Sequence, residues 1–227
     1  MNIKTYILHC KDLPERKKFI EDQLDKNNFT DVTWYTDDDA RDQRGKDLTG
    51  TYDGIRPEIF VEKVKVGGWN YLHNPPRALN PAEISLTTKF GKVFQTIGEG
   101  SDQYSIIFED DAILKDNFSD LFHTYLSNTP DDWDVIYMGN GANLHPKNIE
   151  KSKLAYKIDH PASRCADSIL IKRDAAFLIG ENYFPFDLCS DWEIGYLQSK
   201  LDLNVYWWEP TIVSQGSETG KFKSSLR

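Results

Sequence analysis

Three consecutive carboxylates, Glu109-Asp110-Asp111, directly follow the apolar run Tyr104-Ser105-Ile106-Ile107-Phe108. Such a run predicts a buried strand, with the acids standing at its carboxyl end. Adjacent carboxylates at the edge of a low-dielectric sheet repel one another unless they are protonated or neutralised by a cation. A divalent ion meets that need. An all-oxygen set suits Mg²⁺ or Mn²⁺, ions that typically hold one or two carboxylates beside waters and substrate phosphates. Side chains alternate along an extended chain, so Glu109 and Asp111 are expected to point the same way and to be the metal ligands, leaving Asp110 to a sugar or to structure. The bland alternative is an acidic turn that ends a strand and is solvated. Asp37-Asp38-Asp39 is the comparison: it follows a less apolar strand, leads into polar loop, and reads as solvated surface, with a ribose contact as its second assignment.

The elements that must position these acids alternate between short apolar runs and helical patterns, which predicts an α/β fold. We expect a mostly parallel central sheet flanked by helices in a single domain spanning residues 1–227, with ligands at the carboxyl ends of its strands. Ile3 to His9 reads as the first strand. Asp12-Leu13-Pro14-Glu15 then offers a capping box and opens a helix to about Asn27. Val32 to Tyr35 is a second strand, followed by a long loop, 37–80, of little periodicity. Asn80-Pro81-Ala82-Glu83 repeats the capping pattern ahead of a helix with the stripe Leu86, Phe90, Val93, Phe94 and Ile97. Further strands are expected at Asp134 to Met138, Ser168 to Ile171 and Asn204 to Trp208. Helices are expected around Phe118 to Leu126, from Asp174 and from Ser190, and the tail 214–227 is polar. Trp207 and Trp208 read as core rather than as a sugar platform.

Composition excludes several classes. The chain has 227 residues, and Lys+Arg 27 against Asp+Glu 36 gives a net charge of −9, which argues against general nucleic-acid binding. No apolar stretch approaches the roughly 20 residues of a membrane span. The start lacks the apolar core of a signal peptide, so the chain as given reads as cytoplasmic. Cys10, Cys165 and Cys189, odd in number and widely spaced, read as reduced, buried thiols.

Beyond this, the chain resembles glycosyltransferase family 25, which includes lipopolysaccharide and collagen galactosyltransferases. The matching pieces are Tyr6-Ile7-Leu8-His9 with Leu13-Pro14-Glu15-Arg16, Leu79 to Ser85, Ile107 to Asp111, and Asp134 to Gly139. Asp191-Trp192, Glu209-Pro210 and Gln215-Gly216-Ser217 complete the ordered set. The resemblance implies a GT-A type fold, a donor that is usually UDP-linked, a Mn²⁺-like ion, and transfer of a hexose such as galactose or glucose to a glycan or protein hydroxyl with inversion. The donor-binding set that it implies is Leu8, His9, Arg16, Glu83, Lys89, Asp110, Asn140 and Gln215. The family commonly has Ser-His where this chain has Lys89-Phe90, and Lys89 remains able to meet a phosphate.

Inverting transfer needs a base for the acceptor proton. Asp191, at a helix start near the sheet edge, is the first choice, although a helix N-terminus lowers a carboxylate's pKa and weakens it as a base. Glu193 is the alternative, yet Ser190 and Glu193 also make a capping box. Glu83 is explained equally by capping, Arg16 by a surface pair, and Asn140 by a turn. Gln215 is placed to complete a metal shell or bind a phosphate. The tail, with Lys221-Phe222-Lys223-Ser224-Ser225, either folds over the donor or frays. Trp69, Tyr71 and His73 either stack on an acceptor sugar or pin the loop. Two rival functions stay open: a metal-dependent phosphohydrolase or nucleotidyltransferase, although no Walker-type loop is present, and a carbohydrate- or nucleotide-binding protein without turnover.

Overall fold

The computed structural model describes residues 1–224 apart from 44, 70, 71, 74, 142 and 159–163, so Tyr71 and Ser225 lie outside the described residues. The first half of the chain contains β1 (Thr5–Leu8), α1 (Pro14–Lys26), β2 (Val32–Tyr35), α2 (Pro57–Val66), α3 (Pro81–Glu99), β3 (Tyr104–Glu109) and β4 (Ala112–Leu114). Then follow α4 (Phe118–Ser127), β5 (Val135–Tyr137), β6 (Ala155–Lys157), β7 (Ser168–Lys172), α5 (Arg173–Tyr183), α6 (Ser190–Lys200), β8 (Val205–Trp208) and β9 (Val213–Gln215).

Seven strands form one sheet in the order β2-β1-β3-β7-β5-β8-β6. β1 is parallel to β2 and β3, and β5 to β8, whereas β7 is antiparallel to β3 and β5, and β6 to β8. Five strands therefore point one way, as a mostly parallel sheet requires, but the reversed β7 makes the sheet mixed. That reversal matters for the site. It pairs Phe108 with Ser168, so the residue before β7, Asp167, lies beside the end of β3. A second, two-stranded sheet pairs β4 with β9 and sets Gln215 opposite Ala112, just past the acid triplet.

The sheet is buried on both faces, which is why its strands read as continuous apolar runs. Ile107, Ile169, Ile171 and Trp207 pack under α3, α5 and α6 with Phe90, Phe94, Ile179 and Ile194. Ile106, Phe108, Ile136 and Trp208 face the other way, against Ile20 and Leu24 of α1 and Phe118 and Phe122 of α4. Trp207 and Trp208, both buried, are core residues on opposite faces.

Local expectations fare unevenly. At α3 the capping box forms in full: the Asn80 side chain accepts from Ala82 N and Glu83 N, and Glu83 accepts from Asn80 N. At α1 it does not; Leu13 is the N-cap without a side-chain bond, and Asp12 pairs instead with Arg41. At α6 the N-cap is Cys189, and Glu193 turns away to accept from Asp187 N and Leu188 N at 3.1 Å. The long loop contains α2, whose buried side chains are Phe60, Lys63 and Val64. A lysine on the buried face breaks the apolar period. Its charge is met by Asp187 at 2.7 Å and by Glu193.

The capping difference is measurable. Asn80→Ala is expected to lower unfolding free energy by about 1 kcal/mol, whereas Asp12→Ala, which removes only an exposed pair, should stay within about 0.5 kcal/mol. Urea denaturation of the two variants reads the contrast.

Candidate active site

The carboxyl ends of β1 and β3 open into a cleft of about 690 Å³. Leu8, His9, Arg16, Lys89, Glu109, Asp110, Asp111 and Gln215, eight of the residues expected from sequence, line it together. Glu83 and Asp191 line an adjoining cleft of about 950 Å³, and Gln215, Ser217 and Ser224 form a wall common to both. Asn140 lines neither cleft. Its side chain accepts from Leu144 N at 2.7 Å and meets His145, the role of a turn residue.

β3 ends at Glu109, and Asp110 and Asp111 lie in the turn before β4 rather than in extended chain, so the three acids take their surroundings from that turn and not from strand alternation. Asp110 turns toward β1: Oδ2 lies 2.8 Å from His9 Nδ1 and accepts from Cys10 N at 3.1 Å, while Oδ1 accepts from Arg16 Nη1 at 2.9 Å. Burial would raise this carboxyl, but His9 and Arg16 outweigh it and hold it below the usual range. Asp110 is thus a clamp between two strand ends. Glu109 and Asp111 share the other side. Burial first, then the charges of Asp111, Asp191 and Asp167, push Glu109 well above the ordinary carboxylate range. Burial also raises Asp111 against the opposing pull of Arg16, 3.8 Å away, and of Ser217 N, which donates to Oδ2 at 3.0 Å. Asp111 Oδ1 is buried and has no hydrogen-bond partner among the described residues.

Sequence reasoning missed Asp167. It is 1% exposed, its Oδ1 also lacks a partner, and burial with the charges of Asp111 and Asp191 pushes it up to about 7 against the pull of Ser168. A Cβ on Gly139 would overlap its carboxylate, and one on Gly141 would overlap Gln215 Oε1. Those two glycines after β5 leave room for site groups. Asp39, read as surface, is another correction. It is buried against Lys89, whose ammonium also donates to His9 O at 2.6 Å. Lys89 lines the cleft, but its charge is compensated.

Asp191 occupies the second position of α6, and its Oδ1 accepts from Ala166 N at 3.1 Å. Contrary to the helix-terminus argument, its pKa is raised, to about 6, because burial exceeds the opposing bonds from Ala166 N and the Cys165 thiol. Glu193 is fully buried and engaged by Lys63, so it fastens α6 rather than facing a cleft. Glu83 serves the cap and also accepts both Arg77 amino groups, which overcomes its burial and lowers its pKa. The three cysteines are free as expected, though only partly buried. The described part of the tail, to residue 224, packs back on α1. Arg16 donates to Lys223 O, and the Phe222 ring meets Phe19 edge-on at 5.4 Å and the Arg16 guanidinium at 5.3 Å.

Among the described residues no group of three or more His, Cys, Asp and Glu side chains is gathered to hold a metal ion unaided. Two oxygen ligands, an unpartnered Asp111 oxygen and an uncompensated charge nevertheless fit a Mg²⁺- or Mn²⁺-type ion, which takes its remaining ligands from water and phosphate.

Among solved structures, similar chain traces include S. aureus TarS 1-349, at TM-score 0.45 and 10% identity, covering 97% of this chain and 63% of that one. The same fragment in complex with UDP-GlcNAc gives TM-score 0.45 and 11% identity over 94% and 58%. The chain thus spans about three-fifths of each. No curated protein sequence matches it. No helix among the described residues is long and apolar enough to cross a membrane. The model of glycosyltransferase family 25 (LPS biosynthesis protein) matches residues 2–178, most of the chain, including the ends of β1 and β3 and the acid triplet. The chain belongs to glycosyltransferase family 25.

Proposed function

We propose that the chain transfers a hexose, galactose or glucose, from a UDP-sugar to a hydroxyl of a glycan or protein acceptor, with inversion at the anomeric carbon. The observation that carries this reading is the pair Glu109 and Asp111. Both line one cleft at the end of β3, raised in pKa by burial and by neighbouring charge, with Asp111 Oδ1 unpartnered. These two side chains would hold Mn²⁺ or Mg²⁺. The ion, when bound, supplies positive charge to the diphosphate that leaves. Similarity to TarS, solved with UDP-GlcNAc, accords with a uridine donor.

The chain's own groups do the rest. The nucleotide lies in the cleft below Leu8 and His9, against a floor that the Asp110 clamp keeps rigid. The acceptor lies in the adjoining cleft, where the Asp191 carboxylate takes the hydroxyl proton as the oxygen attacks C1 and the bond from C1 to the diphosphate oxygen breaks. With a pKa of about 6, Asp191 is ionised at neutral pH yet more basic than a solvated aspartate. The wall of Gln215 and Ser217 joins the two clefts, so donor and acceptor meet across it.

Calorimetry with UDP, and product analysis with UDP-galactose and UDP-glucose, test the reading. Uptake of UDP should need Mn²⁺ or Mg²⁺ and be lost in Glu109→Gln and Asp111→Asn; equal uptake without divalent ions would falsify it. Asp191→Asn should cut transfer by about 10²–10⁴-fold at unchanged UDP affinity. The wild-type rate should fall as pH drops through about 6, where the base takes up its proton.

The same acids set a stability signature. Folding raises the pKa values of Glu109, Asp167 and Asp191, so the folded chain binds more protons than the unfolded chain between about pH 4 and 7. Their contribution is present at low pH and is lost as pH rises through that window. Metal-free protein should therefore melt at higher temperature at pH 5.5 than at pH 8, and added Mn²⁺ should raise the melting temperature more at pH 8. A larger Mn²⁺ shift at pH 5.5 would contradict the account.

A further inference from the structure

A third hollow, of about 600 Å³, adjoins the Asp191 cleft. Phe60 of α2, His73, Arg77 and Leu79 of the following loop, and Trp192 of α6 are among its lining. Arg77 lines both hollows, and Trp192 of this one directly follows Asp191 of the other in sequence, which makes the two spaces neighbours.

Trp192 is the indole of the lining, and Trp69, which does not itself line the hollow, backs it. The Trp192 and Trp69 rings stack with centroids 5.1 Å apart and planes 12° from parallel. A Cβ on Gly67, at the end of α2, would overlap the Trp69 ring, so only glycine lets that indole lie against the backbone. The Lys63 ammonium, shared by Asp187 and Glu193, ties α2 to the start of α6, the helix that carries Asp191 and Trp192. Rigid aromatic surfaces lose little conformational freedom when a ligand lands on them. The permanent cation of the lining, Arg77, is already neutralised by both Glu83 oxygens, which leaves it little attraction for a phosphate or an acidic sugar.

We propose that this hollow is a second acceptor subsite, holding a neutral pyranose ring one glycosidic step from the sugar that faces Asp191, so that the acceptor is a glycan of at least two sugars. A pyranose presents an apolar C–H face to the Trp192 indole, which Trp69 holds in place from behind, and ring hydroxyls to His73 and Arg77. The inference rests on the transfer reading above, and its test separates the two.

An array of neutral, acidic and phosphorylated glycans, with single-sugar methyl glycosides as controls, is probed with the intact chain, Gly67→Ala, Trp69→Ala and Trp69→Phe. Calorimetric UDP uptake in the presence of Mn²⁺ is measured on each preparation. The expected result is binding of neutral glycans of two or more sugars, weakened about tenfold in Gly67→Ala and Trp69→Ala. Trp69→Phe should restore part of it, and UDP uptake should be unchanged throughout. Glycan binding indifferent to the Trp69 variants, binding confined to acidic or phosphorylated glycans, or no glycan binding by a preparation that takes up UDP, overturns the subsite. Loss of UDP uptake beside Trp69-dependent glycan binding overturns the donor reading instead.

Discussion

The structure turns on like charges that the fold forces together at the end of β3. Glu109, Asp111, Asp167 and Asp191 reach this region from three separate segments, and burial raises all four. No folding advantage attaches to such an arrangement, since desolvated carboxylates weaken a fold unless something compensates them. The chain compensates one neighbour fully and Asp111 in part, through Arg16 at 3.8 Å and Ser217 N, while Glu109, Asp167 and Asp191 pair with no cation among the described residues. Asp110 receives His9, Cys10 N and Arg16. That contrast inside three consecutive residues separates a structural clamp from a site awaiting positive charge.

Cations for buried acids are not scarce elsewhere. Lys89 meets Asp39, Lys63 meets Asp187 and Glu193, and Arg164 meets Glu209, each pair being largely removed from water. Removing one member of such a pair is costly, so each behaves as a fastener that holds its elements in register. The Lys89 pair holds the segment after β2 to the end of β1, the Lys63 pair holds α2 to α6, and the Arg164 pair sits behind Cys165. These fasteners surround the uncompensated acids on several sides. A rigid frame of this kind keeps repelling groups from drifting apart to relieve their charge.

What was legible in the sequence follows from the range of the physics involved. The acid triplet at the end of an apolar strand is a local feature and was legible, but strand alternation reaches only to Glu109, since Asp110 and Asp111 lie in the turn before β4. The Asn80 and Glu83 cap is local too, and it formed. Asp12 and Ser190 offered the same pattern without the bond, because Arg41 and the turn before α6 offered other partners. Asp167 was invisible for a different reason: it reaches the site only because β7 runs antiparallel to β3, and strand direction is a non-local fact. Asp39 was misread because it is buried by Lys89, fifty positions away, which no hydropathy window contains.

Asp191 shows how magnitude decides between two local arguments of opposite sign. A helix N-terminus favours an anion by about 0.3–1 kcal/mol at exposed positions, less than one pKa unit. Burial of an acid shifts its pKa by as much as about 3–5 units. The position near the start of α6 suggested a weakened base, but the packing around it determines the outcome, and the pKa stands at about 6. The helix supplies placement, carrying Asp191 to the cleft and Trp192 to the hollow beside it. The surrounding desolvation supplies basicity, so geometry and proton affinity at this residue come from different features of the fold.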